Sequence, residues 1–181
     1  MSTFMIADTH FFDMDIVRFE NRPFNNKEEL NNYIIGKWNS VVKDEDEVFL
    51  LGDFSAGTKE EDIELMKTLK GTKYLVLGNH DTKGMDYYRE VGFSKVYDLP
   101  VLYKTYFLLS HEPLYTSSNS PYANIYGHVH MVDSYKDYSA HSFIVSCERI
   151  DYTPILFEDV FKKIKEQRSN EENEKYKYQE I

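Results

Sequence analysis

Five times along this chain a short apolar run ends in residues that carry metal-ligand or proton-transfer chemistry, and no other feature constrains its fold as much. Residues 3–7 lead into Asp8-Thr9-His10, and Val48-Phe49-Leu50-Leu51 leads into Gly52-Asp53. Tyr74-Leu75-Val76-Leu77 precedes Gly78-Asn79-His80-Asp81, and Tyr106-Phe107-Leu108-Leu109 precedes Ser110-His111. Asn124-Ile125-Tyr126 before Gly127-His128-Val129-His130 is a weaker instance. Apolar runs without alternation point to central strands buried on both faces. Of the 6 His in the chain, only His141 lies outside this set.

Helical patterns separate several of these strands. Asn26 with Glu29 predicts a capping box, followed by Leu30, Tyr33, Ile34, Trp38 and Val41 on one face. Thr58 with Glu61 predicts another, leading into Ile63, Met66 and Leu69, and Phe157, Val160, Phe161 and Ile164 mark a third helix. Strands alternating with helices imply an α/β layered domain, whose strand-end loops converge on one crevice. From Val96 onward, short strands with polar loops predict a more antiparallel half. One domain is expected over residues 1–166, with 167–181 a charged tail, either a frayed helix extension or disordered.

Spacing assigns chemistry to the motifs. Asp8 and His10 are two apart, so in an extended segment both side chains point to one side, as do His128 and His130. Asp53 offers a carboxylate that two ions roughly 3.5–4 Å apart could share. Asn79 offers a neutral carbonyl oxygen, while His80 next to it would point elsewhere and could protonate a leaving oxygen, with Asp81 orienting or charging it. His111 adds a strand-end imidazole. Together the motifs predict a two-metal hydrolase.

The formal net charge of −10 argues against a partner gripped through many phosphates, such as long nucleic acid. It leaves room for a small phosphorylated substrate, because two bound cations reverse the local field. A single cysteine, Cys147, excludes an internal disulfide framework and is expected as a buried core thiol. No apolar run approaches the roughly 18 residues of a membrane span, and the first residues lack a basic region. A cytoplasmic protein without membrane contact is expected.

At these residues the chain resembles the calcineurin-like metallophosphoesterases, whose ordered signature is Asp-x-His, Gly-Asp, Gly-Asn-His-Asp/Glu, His and Gly-His-x-His. The resemblance runs over residues 3–164. Asp8-Thr9-His10-Phe11, Asn21-Arg22-Pro23-Phe24, Trp38-Asn39 and Gly52-Asp53-Phe54 narrow it to a small single-domain branch of bacteria and phages. It implies a four-layer α/β/β/α sandwich. It also implies that Asp8, His10 and His130 hold one metal and Asn79, His111 and His128 the other, with Asp53 bridging and His80 off the metals near the leaving group. Where the branch pattern has Phe-Gly-His, this chain has Phe11-Phe12-Asp13, so a substrate contact by that third-position histidine is not carried over.

Two divalent cations would each bind a phosphate oxygen and share a hydroxide that attacks phosphorus in line. Mixed nitrogen and oxygen ligation without thiolate suits Mn, Fe, Zn, Ni or Co, with manganese favoured. Arg22, and less surely Arg18, could grip a substrate phosphate, beside Asn79 and His80. The Tyr-, Ser- and Asn-rich residues 115–138 could flank the cleft and stack a nucleobase, though packing against loops is the commoner use of such tyrosines. The expected activity is a phosphodiesterase acting on small phosphodiesters, cyclic or signalling nucleotides among them. A phosphomonoesterase or phosphoprotein phosphatase, and a non-catalytic scaffold on the same fold, are the alternatives.

Overall fold

In a computed structural model, which describes residues 1–116, 120–132 and 141–177, the apolar runs become the strands of two facing sheets. In chain order the elements are β1 (Thr3–Ile6), α1 (Met14–Phe19), α2 (Lys27–Val41), β2 (Glu47–Leu51), α3 (Lys59–Thr68), β3 (Thr72–Val76), α4 (Met85–Val91) and β4 (Lys95–Tyr97). There follow β5 (Val101–Tyr103), β6 (Phe107–Leu109), β7 (Ala123–Tyr126), β8 (Ser142–Ile144), β9 (Ile155–Leu156) and α5 (Phe157–Lys177). The first sheet has the order β4-β3-β2-β1-β9, and only β9 runs antiparallel.

The second sheet, β5-β6-β7-β8, corrects an expectation: only the β5–β6 pair is antiparallel, while β6, β7 and β8 run parallel. Parallel neighbours need a crossover of about a dozen residues or more, and the connections 110–122 and 127–141 are long enough to provide it. These are the segments that carry His111, His128 and His130. Their length therefore serves parallel pairing and places both loops at carboxyl ends.

Side-chain alternation within the runs divides them between two cores. Phe4 and Ile6 of β1, Val48 and Leu50 of β2 and Leu75 of β3 pack with Leu30, Ile34 and Trp38 of α2 and with Leu65 and Met66 of α3. The intervening Met5, Phe49, Leu51 and Val76 face Phe107, Leu109, Ala123 and Ile125 of the second sheet. Burial on both faces is why the runs read as continuous rather than alternating. Helix α5 brings Phe157, Val160 and Ile164 to the inter-sheet core, and Cys147 is buried as expected.

The helix starts follow the capping chemistry with one variation. Thr58 and Glu61 form a reciprocal box at α3. Asn26 accepts the Glu29 N–H, but the Glu29 carboxylate reaches back to the N–H of Asn25 rather than that of Asn26. Helix α1, which the sequence pattern did not reveal, starts at Asp13, whose side chain accepts from the N–H groups of Asp15 and Ile16. Helix α5 passes without a break through the boundary expected at residue 166.

Candidate metal centre

The strand-end loops meet because the sheets continue to exchange hydrogen bonds past their last residues. The N–H of Asp8 donates to Gly52 O and that of His10 to Asp53 O, which locks the first two motifs side by side. Ala7 bonds the other way, donating to Val145 O and accepting from the N–H of Cys147, so the end of β1 is tied to the end of β8 in the opposite sheet. The N–H of Gly127 donates to His111 O, joining the last two motifs. Asp81 ties the second motif to the third, with its carboxylate accepting from the N–H groups of Asp53, Phe54 and Gly78.

The expected extended geometry does not occur at the key side chains. Asp8, His10, Asp53, His128 and His130 all have φ between 42° and 69°, in the left-handed region. Asp and His are among the residues enriched there, yet each such residue costs energy that the surroundings must offset. The turns, not strand alternation, bring Asp8 with His10 and His128 with His130 into the crevice. Two glycines allow the close approach. A Cβ at Gly52, whose φ is +87°, would lie 2.2 Å from His111 Nδ1, and one at Gly78 would lie 2.2 Å from Asp53 Oδ1.

Among the described residues three groups of side chains result, each with one ligand atom per residue within 4.8 Å of the others: Asp8, His10 and His130, then Asp53, His111 and His128, which together face the crevice, and Glu20, His130 and Glu148 behind the first. Asn79 joins the second, its Oδ1 standing 2.8 Å from His111 Nε2 and 2.9 Å from His128 Nδ1. Asp53 stands between the first two, its Oδ2 3.4 Å from His10 Nε2 and 3.3 Å from His111 Nε2. His10 Nε2 is buried and has no hydrogen-bond partner, and a cation would take up its lone pair. The donor set of hard oxygen and imidazole nitrogen fits divalent transition ions.

His80 is exposed, with its ring set edge-on against His10 at 5.2 Å between centroids. Its N–H donates to Asp53 Oδ1, so its loop is fixed while its imidazole stays free of the two crevice groups. Two residues with expected roles make other contacts. Asp81 spends its carboxylate on backbone N–H groups and anchors loops, because it lies buried beneath Asp53. Arg22 is buried, and its guanidinium donates to Asp8 O, Thr9 O and Glu148, so it clamps the first motif from behind rather than facing substrate. Arg18 is exposed on α1 and pairs with Asp15. Within 115–138, residues 117–119 and 133–138 lie outside the described residues, and Tyr115 is exposed.

Glu148 escaped the sequence reading. Its Oε1 lies 3.0 Å from His130 Nδ1 and 2.7 Å from the Arg22 guanidinium. A signal was present, since Phe143-Ile144-Val145 followed by Ser146-Cys147-Glu148 is a sixth apolar run ending in a polar side chain.

The electrostatics of the metal-free site are those of protons standing where cations would. Burial alone would lower His10, but Asp13 and Asp53 outweigh it and raise it to about 9. Burial acts likewise on His111, which Asp53 and Asp8 raise to about 9. Burial would raise Asp53, yet the two imidazoles hold it far below the usual carboxylate range. A histidine pKa raised from 6.5 to about 9 on folding contributes stability that is complete below 6.5 and lost as pH rises through 9. The Tm of the metal-free chain should therefore fall between these two values. Saturating Mn²⁺ should flatten or reverse that fall, since binding expels the same protons. Thermal unfolding across that range, with chelator and with metal, checks this, and a metal-free Tm that climbs with pH would contradict it.

Two parallel-rich sheets packed face to face, with His, Asp and Asn gathered at their strand ends, define a metal-ligating α/β sandwich. The family profile described as calcineurin-like phosphoesterase matches residues 1–175, and the chain belongs to that family. It is 35% identical over 169 residues to the uncharacterized protein MJ1445 of Methanocaldococcus jannaschii, covering 89% of this chain and 90% of that one. A crystal structure of the protein of unknown function AQ665 from Aquifex aeolicus superposes with a TM-score of 0.71 at 26% identity, covering 89% of this chain and 98% of that one. The fold is that of the metallophosphoesterase sandwich. No described helix is long and apolar enough to cross a membrane.

Proposed function

We propose that this chain is a dinuclear-metal phosphodiesterase acting on small phosphodiesters, cyclic or signalling nucleotides among them. The observation that carries the proposal is the placement of Asp53 between two ligand groups, with the free imidazole of His80 on one side and an open cleft on the other. Asp8, His10 and His130 would hold one divalent ion and Asn79, His111 and His128 the other, both touching Asp53. Such ions supply Lewis-acid charge and lower the pKa of a coordinated water. Manganese is the ion to try first.

The chain's own groups then divide the work. His80, exposed and within reach of the site, gives a proton to the departing oxygen. The cleft of about 330 Å³ beside Asn79 and His111 is lined by Leu99, Pro100 and Leu114 together with Asp98 and Glu112, and among the described residues no Lys or Arg contributes to it. A diester carries one negative charge and a second organic group, and this cleft offers that group room. The two carboxylates there would repel a further anion. A small substrate in the cytoplasm, rather than a long polyanion, is consistent with the net charge of −10.

The test is an assay of metal-loaded protein on bis-p-nitrophenyl phosphate against p-nitrophenyl phosphate, followed by cyclic mono- and dinucleotides. The diester should be the better substrate by kcat/KM. Preference for the monoester would replace the proposal with a phosphomonoesterase, and inactivity on every ester would favour a scaffold.

A further inference from the structure

The two candidate ion positions differ in what stands behind their imidazoles. In the first group, each histidine has a carboxylate at Nδ1. Glu148 Oε1 lies 3.0 Å from His130 Nδ1, and Asp13 Oδ2 lies 3.3 Å from His10 Nδ1. The Arg22 guanidinium holds the same Glu148 oxygen from the other side, at 2.7 Å. A carboxylate oxygen facing a ring nitrogen accepts from it, which makes both Nδ1 atoms donors and leaves both Nε2 atoms for the crevice.

The second group is backed differently. His111 Nδ1 stands 2.9 Å from the neutral carbonyl of Leu51, with Asp8 Oδ1 farther off at 3.8 Å. His128 turns its own Nδ1 towards Asn79 and His111. Exposure differs in the same sense: Asp8, His10 and His130 are all buried, whereas His128 is half-buried and Asn79 exposed. The cleft reaches the second position, being lined by Asn79 and His111.

We infer that Glu148 and Asp13 are positioning residues that make the Asp8–His10–His130 position the tightly held one, leaving the position at Asn79, His111 and His128 exchangeable. This rests on the dinuclear reading of the site. A carboxylate on the far nitrogen fixes the tautomer and ring orientation, raises imidazole basicity and adds negative charge near the cation; losing such a partner typically costs about 10–100-fold in metal affinity. Asp13 faces His10 from the start of α1, so the flank of the first motif backs a candidate metal ligand. Arg22 completes the arrangement by bonding both Glu148 and the backbone of Asp8 and Thr9.

The experiment is a calorimetric titration of the metal-free full chain with Mn²⁺, for the wild type, Glu148→Gln and Asp13→Asn. Gln keeps an acceptor for Arg22, and Asn caps α1 as well as Asp does, so Asp13→Asn carries the test if Glu148→Gln does not fold. The wild type should bind two ions in steps at least tenfold apart. Each variant should weaken the tighter step by about 10–100-fold and leave the looser step within about twofold, whereas general loosening of the structure would weaken both steps together. Two ions of equal affinity, or variants that weaken the looser step or neither, would overturn the inference while sparing the dinuclear reading. Fewer than two ions in the wild type would overturn both.

Discussion

Replacing His80 with alanine should leave two ions bound and lower the turnover of a diester with an alkoxide leaving group by about 10²–10⁴-fold, the range a positioned general acid contributes. The expectation follows from how the residue is held. Its backbone N–H, which alanine retains, donates to Asp53 Oδ1, so the loop and the candidate bridging carboxylate keep their places. Its ring touches His10 edge-on and belongs to neither ligand group. The loss should be much smaller for a nitrophenolate leaving group, which departs without needing a proton. Steady-state kinetics on the two diesters, with metal content measured in parallel, separates the cases. Unchanged turnover of the alkyl diester would remove His80 from the reaction, and loss of an ion would make it a structural residue.

A still larger effect is expected at Asp53. Asp53→Asn removes the carboxylate that stands between His10 Nε2 and His111 Nε2. Activity should fall by at least about 10³-fold, beyond the roughly 10²–10³ that loss of a single charge-stabilising group costs, and no more than one ion should stay bound. Asp53 is also a partner of both raised imidazoles, together with Asp13 at His10 and Asp8 at both. The variant's metal-free Tm should therefore depend less steeply on pH between 6.5 and 9, the interval of those shifts. Kinetics and pH-dependent unfolding of one preparation test both halves. A variant that keeps two ions and the wild-type pH slope would show that Asp53 bridges nothing.

What could be read in advance follows from the burial of parallel strands. Strands covered on both faces leave unbroken apolar runs, so β1, β2, β3 and β6 were legible as Thr3-Phe4-Met5-Ile6 and its successors. Ligand-type residues at their ends were legible because such ends face one crevice. The geometry behind them was not. Asp8 with His10 and His128 with His130 reach the site through left-handed turns, a conformation that no spacing rule reports. The parallel pairing of β6, β7 and β8 was hidden because strands of three or four residues carry too little pattern to show direction.

Long-range partners were the other blind spot. Arg22 reads as a loop arginine until the fold places its guanidinium under Asp8 and Thr9 and against Glu148, 126 residues away in sequence. Glu148 reads as one acidic residue among many until β8 ends beside β1. Asp13 marked a departure from a family pattern, and only the start of α1 shows what it does there: it caps the helix and faces His10 Nδ1.

The central claim is that Asp53 joins two ions held by the strand-end residues. Its most direct test is anomalous diffraction from crystals of the full chain grown with Mn²⁺. Two peaks should appear roughly 3.5–4 Å apart on either side of the Asp53 carboxylate, one among Asp8, His10 and His130 and the other among Asn79, His111 and His128. A single peak, or ions bound away from Asp53, would contradict it.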